Sequence, residues 1–431
     1  MQLTRGRARV HVLARAVLAS ALFVALLLGA ASARADKEGN PNAPAVTEKD
    51  VPAPPITKDA SSKPEDTSTK HVALEMSSYT DSDHVTVFTP SVNATIENVT
   101  QGASISGHYL VDVVSAASVD IVSTASPRWR EVRQAGGIEG TYKPHETGIT
   151  VAGAMSSEPD YLSYSVGAQF TQDFDEKNST LLLGYGYSHD TVGYHFTPFS
   201  VFSRIVQAST LSAGLTQVIS RSTVGSLVLD VGLEDGDQSK PYRYIPMFSP
   251  AEAAQVPNGA SIDFVTKNRL PERPAEQLPL ARERYSITGR LAHRLDSSTL
   301  RAEERLYVDS WLMAASTSDL RWIFDFGRRV EVWPHVRFHA QNGVDFWQRA
   351  YVSASSTGFD LPEFRTGNRE LGPLVSETGG GGVKVFLGKG GNPKSLSLAL
   401  HCDASFTSYL NDLYLTGRSS VLGALILEGE L

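Results

Sequence analysis

Residues 330–341 read VEVWPHVRFHAQ, and nearly every other residue is apolar: Val330, Val332, Pro334, Val336, Phe338 and Ala340. Between them stand Glu331, Trp333, His335, Arg337, His339 and Gln341. A period of two over a dozen residues specifies an extended strand with two unlike faces. In a soluble protein the valines would face a core. In a membrane barrel they would face lipid, with the charges toward a water-filled lumen.

The rest of the chain decides between these. From residue 71 onward about sixteen extended runs follow one another without a sustained helical period, the first at 71–78 and the last at 418–431. DYLSYSVGAQFTQ (160–172) places Leu162, Tyr164, Val166, Ala168 and Phe170 on one face. SLSLALHCDASF (395–406) opposes Leu396, Leu398, Leu400 and Cys402 to Ser397, Ala399, His401 and Asp403. Connections after even-numbered runs are short, such as KPHE, DEKN and SRS. Several after odd-numbered runs are long, above all 235–281 and 342–375. Short turns at one end and long loops at the other are the pattern of an outer-membrane barrel. Sixteen strands also enclose more volume than one layer of side chains can fill, so an apolar interior would be left partly empty. The expected fold is therefore all-β: a closed antiparallel transmembrane β-barrel of about sixteen strands over 71–431, its valines toward lipid.

The N-terminus agrees. Arg5, Arg7, Arg9 and Arg15 precede the apolar run AVLASALFVALLLGA (16–30), and Ala33 and Ala35 stand in A-x-A spacing. This is the pattern of a secretory signal peptide over 1–35, cut after Ala35. No cysteine follows the run, so lipid modification there is not expected. Residues 36–70 are rich in Pro, Ser, Thr and mixed charge, and read as a disordered periplasmic tether. Removing 1–35 leaves 34 of the 39 basic residues against 47 acidic ones, a balance of −13. So acidic a chain is a poor nucleic-acid binder. The single cysteine, Cys402, has no intrachain disulfide partner. The expected location is the outer membrane of a Gram-negative bacterium. The expected partners are its lipids and the barrel-assembly machinery, with no nucleic acid and the oligomeric state open.

The polar faces define an expected pore lining: Arg284, Arg290, Arg301, Glu303 and Arg305, then Arg321, Asp325, Glu331, His335, Arg337 and His339, and finally His401 and Asp403. Neighbouring strands gather six of these arginines on one wall, where a single sign of charge biases ion passage. The simpler role is paired charges that brace the barrel. No catalytic constellation, cofactor or metal site is expected. His335 and His339 are about 13 Å apart on a strand and cannot share an ion. Neither LLLGYGYSHD nor FLGKGGNPK opens a helix after a parallel strand, as a phosphate loop would. Asp81, Asp83 and Asp309 fall in outer turns and read as solvated aspartates before they read as calcium ligands. Tyr109, Tyr142, Tyr185, Tyr187, Tyr194, Trp311, Trp322, Trp347 and Tyr351 near strand ends suggest interfacial girdles.

Three residues sit awkwardly in this scheme. Pro334 removes a ladder hydrogen bond. Glu304 falls on the lipid face unless a bulge or rim position moves it. The last strand ends in Leu431, where barrels resembling porins usually end in an aromatic residue.

The stretch GHYLVDVVSAASVDIVSTASPRWREVRQAG (107–136) resembles a bacterial family known as domain of unknown function 3570. Supporting pieces are DSDHVTVFTPSV (81–92), PYRY (241–244), LPLARERYSITGR (278–290), LYVDSW (306–311) and PHVRFHAQNGVDFW (334–347). The resemblance implies an outer-membrane β-barrel and supplies no mechanism. Two readings of function follow. One is a passive, porin-like channel or transporter for small polar or charged solutes, with 235–281 folded inward to narrow the lumen. The other is a loop-plugged enzyme or an interaction barrel without transport, with the balance against an enzyme.

Overall fold

The computed structural model describes residues 68–114, 131–354, 360–389 and 392–431. The expected signal peptide and nearly all of the tether lie outside these residues. In chain order the strands are β1 (Ser68–Asp81), β2 (Thr86–Asn98), β3 (Ala103–Val114), β4 (Glu131–Tyr142), β5 (Thr147–Glu158), β6 (Tyr161–Phe174), β7 (Ser179–Val192), β8 (Arg204–Ser220), β9 (Thr223–Gly236), β10 (Met247–Phe248), β11 (Ala281–Arg294), β12 (Ser298–Asp309), β13 (Ala314–Phe326), β14 (Val330–Gln341), β15 (Tyr351–Val352), β16 (Leu374–Phe386), β17 (Leu396–Tyr409) and β18 (Gly417–Glu430). All but the two-residue strands β10 and β15 form one closed barrel in sequence order, and β1 pairs antiparallel with β18 to complete it. The first strand begins at Ser68, three residues before the alternation becomes visible in the sequence.

The alternation reads out as two environments. Val336 is 52% exposed on the convex face and its neighbour His335 only 6% on the concave one. Tyr164, Val166, Ile149, Val151, Leu211, Leu400 and Leu425 are exposed on the same outer surface. So much exposed aliphatic and aromatic surface on a closed sheet is what acyl chains solvate. The barrel is a transmembrane one, and closure leaves no open sheet edge in lipid.

Pro334 interrupts the ladder as expected, and only on one side. Toward β13 the pairing skips from His335↔Arg321 to Val332↔Phe324 without a change of register. Toward β16 the pairs Trp333↔Gly382 and Pro334↔Gly381 remain. The proline's missing N–H therefore belongs to the β13 edge. Glu304 is not moved by any bulge. It pairs with Gly289 and Ser318 on the outer face, in register with the exposed Leu306. Its carboxylate is instead satisfied locally: Ser316 Oγ donates to Oε1 at 2.7 Å, and Ser318 Oγ donates to Oε2. The Ser318→Ala variant should lose about 1–3 kcal/mol, the cost of a buried acceptor short of its donor. Urea unfolding in lipid vesicles reads this directly, and equal stability of Ser318→Ala and wild type would show that the carboxylate is solvated some other way.

The longest connection, 237–280, is folded. It carries β10 and two short helices, α1 (Pro250–Ala253) and α2 (Ile262–Asn268). Ser249 and Ser261 cap these helices by accepting the amides of Glu252 and Phe264. β10 pairs in parallel with β15, tying the segment to the 342–373 connection. Phe248, Val256, Ala260 and Val265 pack against Leu413 and Tyr414 of the last connection. Leu278, Trp311, Met313, Val344, Trp347 and Leu371 form a second apolar cluster, and Ile245, Met247 and Tyr351 a third. The most deeply buried side chains of the described residues thus lie in a cap built from long connections. Trp311, Trp347 and Tyr351 belong to its core and to no interfacial girdle, whereas Tyr109, Tyr142, Tyr185 and Trp322 are exposed. Burial pushes the Tyr414 phenol up to about 12, against the pull of Arg273 and Arg269, and raises that of Tyr351 as well. Both remain neutral hydrogen-bonding groups.

The outer-turn aspartates are also structural. Asp309 is buried and accepts Arg282 Nε at 3.0 Å, the Tyr307 hydroxyl at 2.9 Å and the amides of Trp311 and Met313. Asp83 is buried against Arg369 Nη1 at 2.7 Å. Asp81 Oδ1 accepts the amides of Asp83 and Val85, closing the β1–β2 turn. The expectation of solvated aspartates fails for Asp83 and Asp309 because each meets an arginine that is remote in sequence.

Candidate functional site in the barrel lumen

Register fixes which side chains share the lumen. The odd-numbered residues of β12, β13 and β14 face inward, as do the even-numbered residues of β11. All thirteen expected lining residues fall on these faces or on the corresponding faces of β17.

Their partners differ. Arg284 pairs with Glu234 at 2.9 Å, Arg290 with Glu303 at 2.6 Å, and Asp325 with Arg294 at 2.5 Å. Arg305 Nη2 donates to Ser286 Oγ at 3.3 Å. His339 lies 2.8 Å from Thr317 Oγ1 and 3.2 Å from Gln341 Oε1. These are the bracing roles that the simpler reading assigns. Arg301, Arg321 and Arg337 are different: among the described residues no carboxylate forms an ion pair with them. Arg301 and Arg321 are direct cross-strand partners on the inner face. Like charges placed opposite each other destabilise a sheet.

Both line a recess of about 360 Å³ with Arg290, Glu303 and Asp319. Around the barrel a second recess of about 560 Å³ has a different lining, mostly small residues with His108 and Glu139: Ser106, Ala154, Ser165 and Gly167. The lumen therefore has one charged wall and one nearly smooth wall.

Glu331 lies apart, as the cross-strand partner of Asp325 and Lys384, while His335, His401 and Asp403 come together at mid-height on the charged wall. His335 is held between two carboxylates, with Nδ1 at 3.1 Å from both oxygens of Asp403 and Nε2 at 2.9 Å from Asp319 Oδ2. His401 Nε2 lies 3.2 Å from Asp403 Oδ1. Trp333 lies nearly parallel to the His401 ring, with centroids 6.4 Å apart. The four-glycine run of β16 (379–382) makes room for this group. A Cβ on Gly382 would lie 2.3 Å from the Trp333 ring, and one on Gly380 would lie 2.1 Å from Asp403 Oδ1. Asp319 and Trp333 are absent from the expected lining, although Asp319 shares strand parity with Arg321 and Trp333 with His335.

A family described as a protein of unknown function, DUF3570, matches residues 113–392, well over half of the chain. No curated relative matches the sequence. Among solved structures the chain is similar to the siderophore receptor PirA from Pseudomonas aeruginosa, at 10% identity and a TM-score of 0.41 over 84% of this chain and 62% of the receptor. It thus spans less than two thirds of that receptor's length. It is also similar to a bacterial polysaccharide outer membrane secretin, at 8% identity and a TM-score of 0.42 over 86% of this chain and 100% of the other. OccK7 (OpdD) of Pseudomonas aeruginosa gives 9% identity and a TM-score of 0.42 over 84% of this chain and 98% of the other. These likenesses are loose, and the fold stands on strand order and register.

Proposed function

The chain belongs to the DUF3570 family of proteins of unknown function, and on that premise we propose that it is a passive outer-membrane channel for small polar solutes, favouring anions. The observation that carries this reading is the Arg301–Arg321 pair. Two guanidinium groups face each other across adjacent strands without a carboxylate between them, beside an open recess. A structural role would favour opposite charges at these positions. Unpaired cations in a lumen raise the local concentration of anions and lower the barrier to their passage. Arg337 adds a further arginine to this wall on β14, across from Asp319. The exported N-terminus, lipid contact through the apolar belt, and insertion by the barrel-assembly machinery are parts of the same proposal.

Reconstitution in planar bilayers tests it. The wild-type barrel should conduct and prefer chloride to potassium. The Arg301→Glu/Arg321→Glu pair should lower that preference several-fold or reverse it. A folded barrel with no conductance would remove the channel reading. The cap supports a second one, in which long connections plug the outer mouth and the barrel serves as an interaction platform. Deleting 240–275 separates the two, since a plugged barrel goes from no conductance to conducting, whereas a channel conducts before the deletion as well as after it.

A further inference from the structure

We infer that His335, His401 and Asp403 form a binding site for a divalent first-row transition-metal ion in the lumen wall. One ligand atom from each residue lies within 4.8 Å of the other two. Two edges of that triangle are shorter: His335 Nδ1 and His401 Nε2 lie 3.1 and 3.2 Å from an Asp403 oxygen. A tetrahedral zinc ion with bonds of about 2.0–2.1 Å holds its ligand atoms roughly 3.3 Å apart, so these two edges already have coordination spacing. Two imidazoles and one carboxylate are the donor set of such ions.

Three further observations point the same way. His335 Nε2 lies 2.9 Å from Asp319 Oδ2, so the nitrogen turned away from the triangle is held by a carboxylate. That carboxylate–histidine arrangement orients metal-binding imidazoles and raises their basicity. His401 Nε2 is a buried atom that makes no hydrogen bond, even with Asp403 close by. Such an atom is costly unless something else satisfies it. Finally, Gly380 is the cross-strand neighbour of both His335 and Asp403, and Gly382 of both Trp333 and His401. A side chain at Gly380 would press on Asp403 Oδ1, and one at Gly382 on the Trp333 ring that lies beside His401.

The site is independent of ion flow, since a non-conducting barrel would still bind the metal. Its test uses the full-length barrel folded in detergent, stripped with chelator and then titrated with Co²⁺ or Zn²⁺. We expect one tightly held ion per chain and intense visible Co²⁺ bands that Zn²⁺ abolishes. His401→Ala and Asp403→Asn should lose both, while Cys402→Ser, on the lipid face, should change neither. Asp319→Asn should keep the spectrum and weaken affinity about 10–100-fold, the usual effect of removing a carboxylate behind a ligating histidine. Heat-modifiable gel mobility reports whether each variant folds. If the ligand variants do not fold, the wild-type Co²⁺ spectrum decides alone. Absent bands, bands that survive in folded His401→Ala, or bands that vanish in Cys402→Ser would each overturn the site.

Discussion

The Asp309→Ala variant is expected to be destabilised by about 3–5 kcal/mol, the cost of stranding a buried partner charge. The Asp309 side chain is fully buried and that of Arg282 nearly so. Removing the carboxylate leaves the guanidinium with the face of Trp311, 4.2 Å away, the Met313 sulfur, and its cross-strand neighbour Glu234, which already pairs with Arg284. It also strands the amides of Trp311 and Met313 and the Tyr307 hydroxyl. Trp311 and Met313 belong to the apolar cluster that fastens the cap to the barrel. The loss should therefore appear twice, as a lower urea midpoint and as faster proteolysis within 237–280. Arg282→Met/Asp309→Leu should recover most of the loss, because replacing both charges leaves none unpaired. A double variant no more stable than Asp309→Ala would show that the hydrogen bonds, and not the charge, dominate.

The glycine run gives the second large effect, in graded form. A Cβ on Gly380 would stand 2.2 Å from the Cys402 carbonyl oxygen, and one on Gly381 would stand 2.2 Å from that of Trp333. Neither obstacle is a flexible side-chain tip. Strands must separate to relieve it, at a cost of about 1–3 kcal/mol or more for each alanine. A Cβ on Gly379 meets nothing within 4 Å, so Gly379→Ala should be neutral or slightly stabilising. Urea unfolding of the three alanine variants should rank Gly379 apart from the other two. Equal effects at all three positions would mean that backbone freedom, not close approach, explains the run.

The strands were legible in the sequence because lipid and water impose a period of two on each of them. β14 begins and ends at the residues where its alternation does, Val330 and Gln341. Ser68–Lys70 extend β1 without an apolar alternation to announce them. The face of each lining residue was equally legible, because parity alone fixes it. What parity cannot give is which side chains meet. His335 and Asp403 are 68 residues apart, and they converge only because β16 is narrow enough to bring them together across it. His335 and His339 stay apart, as their spacing on a strand requires, since four residues along a strand span about 13 Å. The cap was hidden because its contacts join four separate connections, 237–280, 310–313, 342–373 and 410–416, none of which has a period. Trp311, Trp347 and Tyr351 therefore looked like membrane anchors when they are its core.

The pairing of β1 with β18 turns the sheet into a ring, and a ring has no intrinsic first strand. Leu431 N donates to Lys70 O at 2.8 Å, so the start of β1 and the end of β18 meet at the rim of short turns. His71 and Glu430 face each other although more than three hundred residues separate them. Closing a loop of that length costs roughly 5 kcal/mol in chain entropy beyond a constant. Until Gly417–Glu430 arrive, β1 and β17 are both unpaired edges, which lipid does not tolerate. A circular permutant opened within 221–222 and joined from 431 to 68 would keep all sixteen pairings of the ring. It would make a different pair of neighbours, β8 and β9, wait longest for each other.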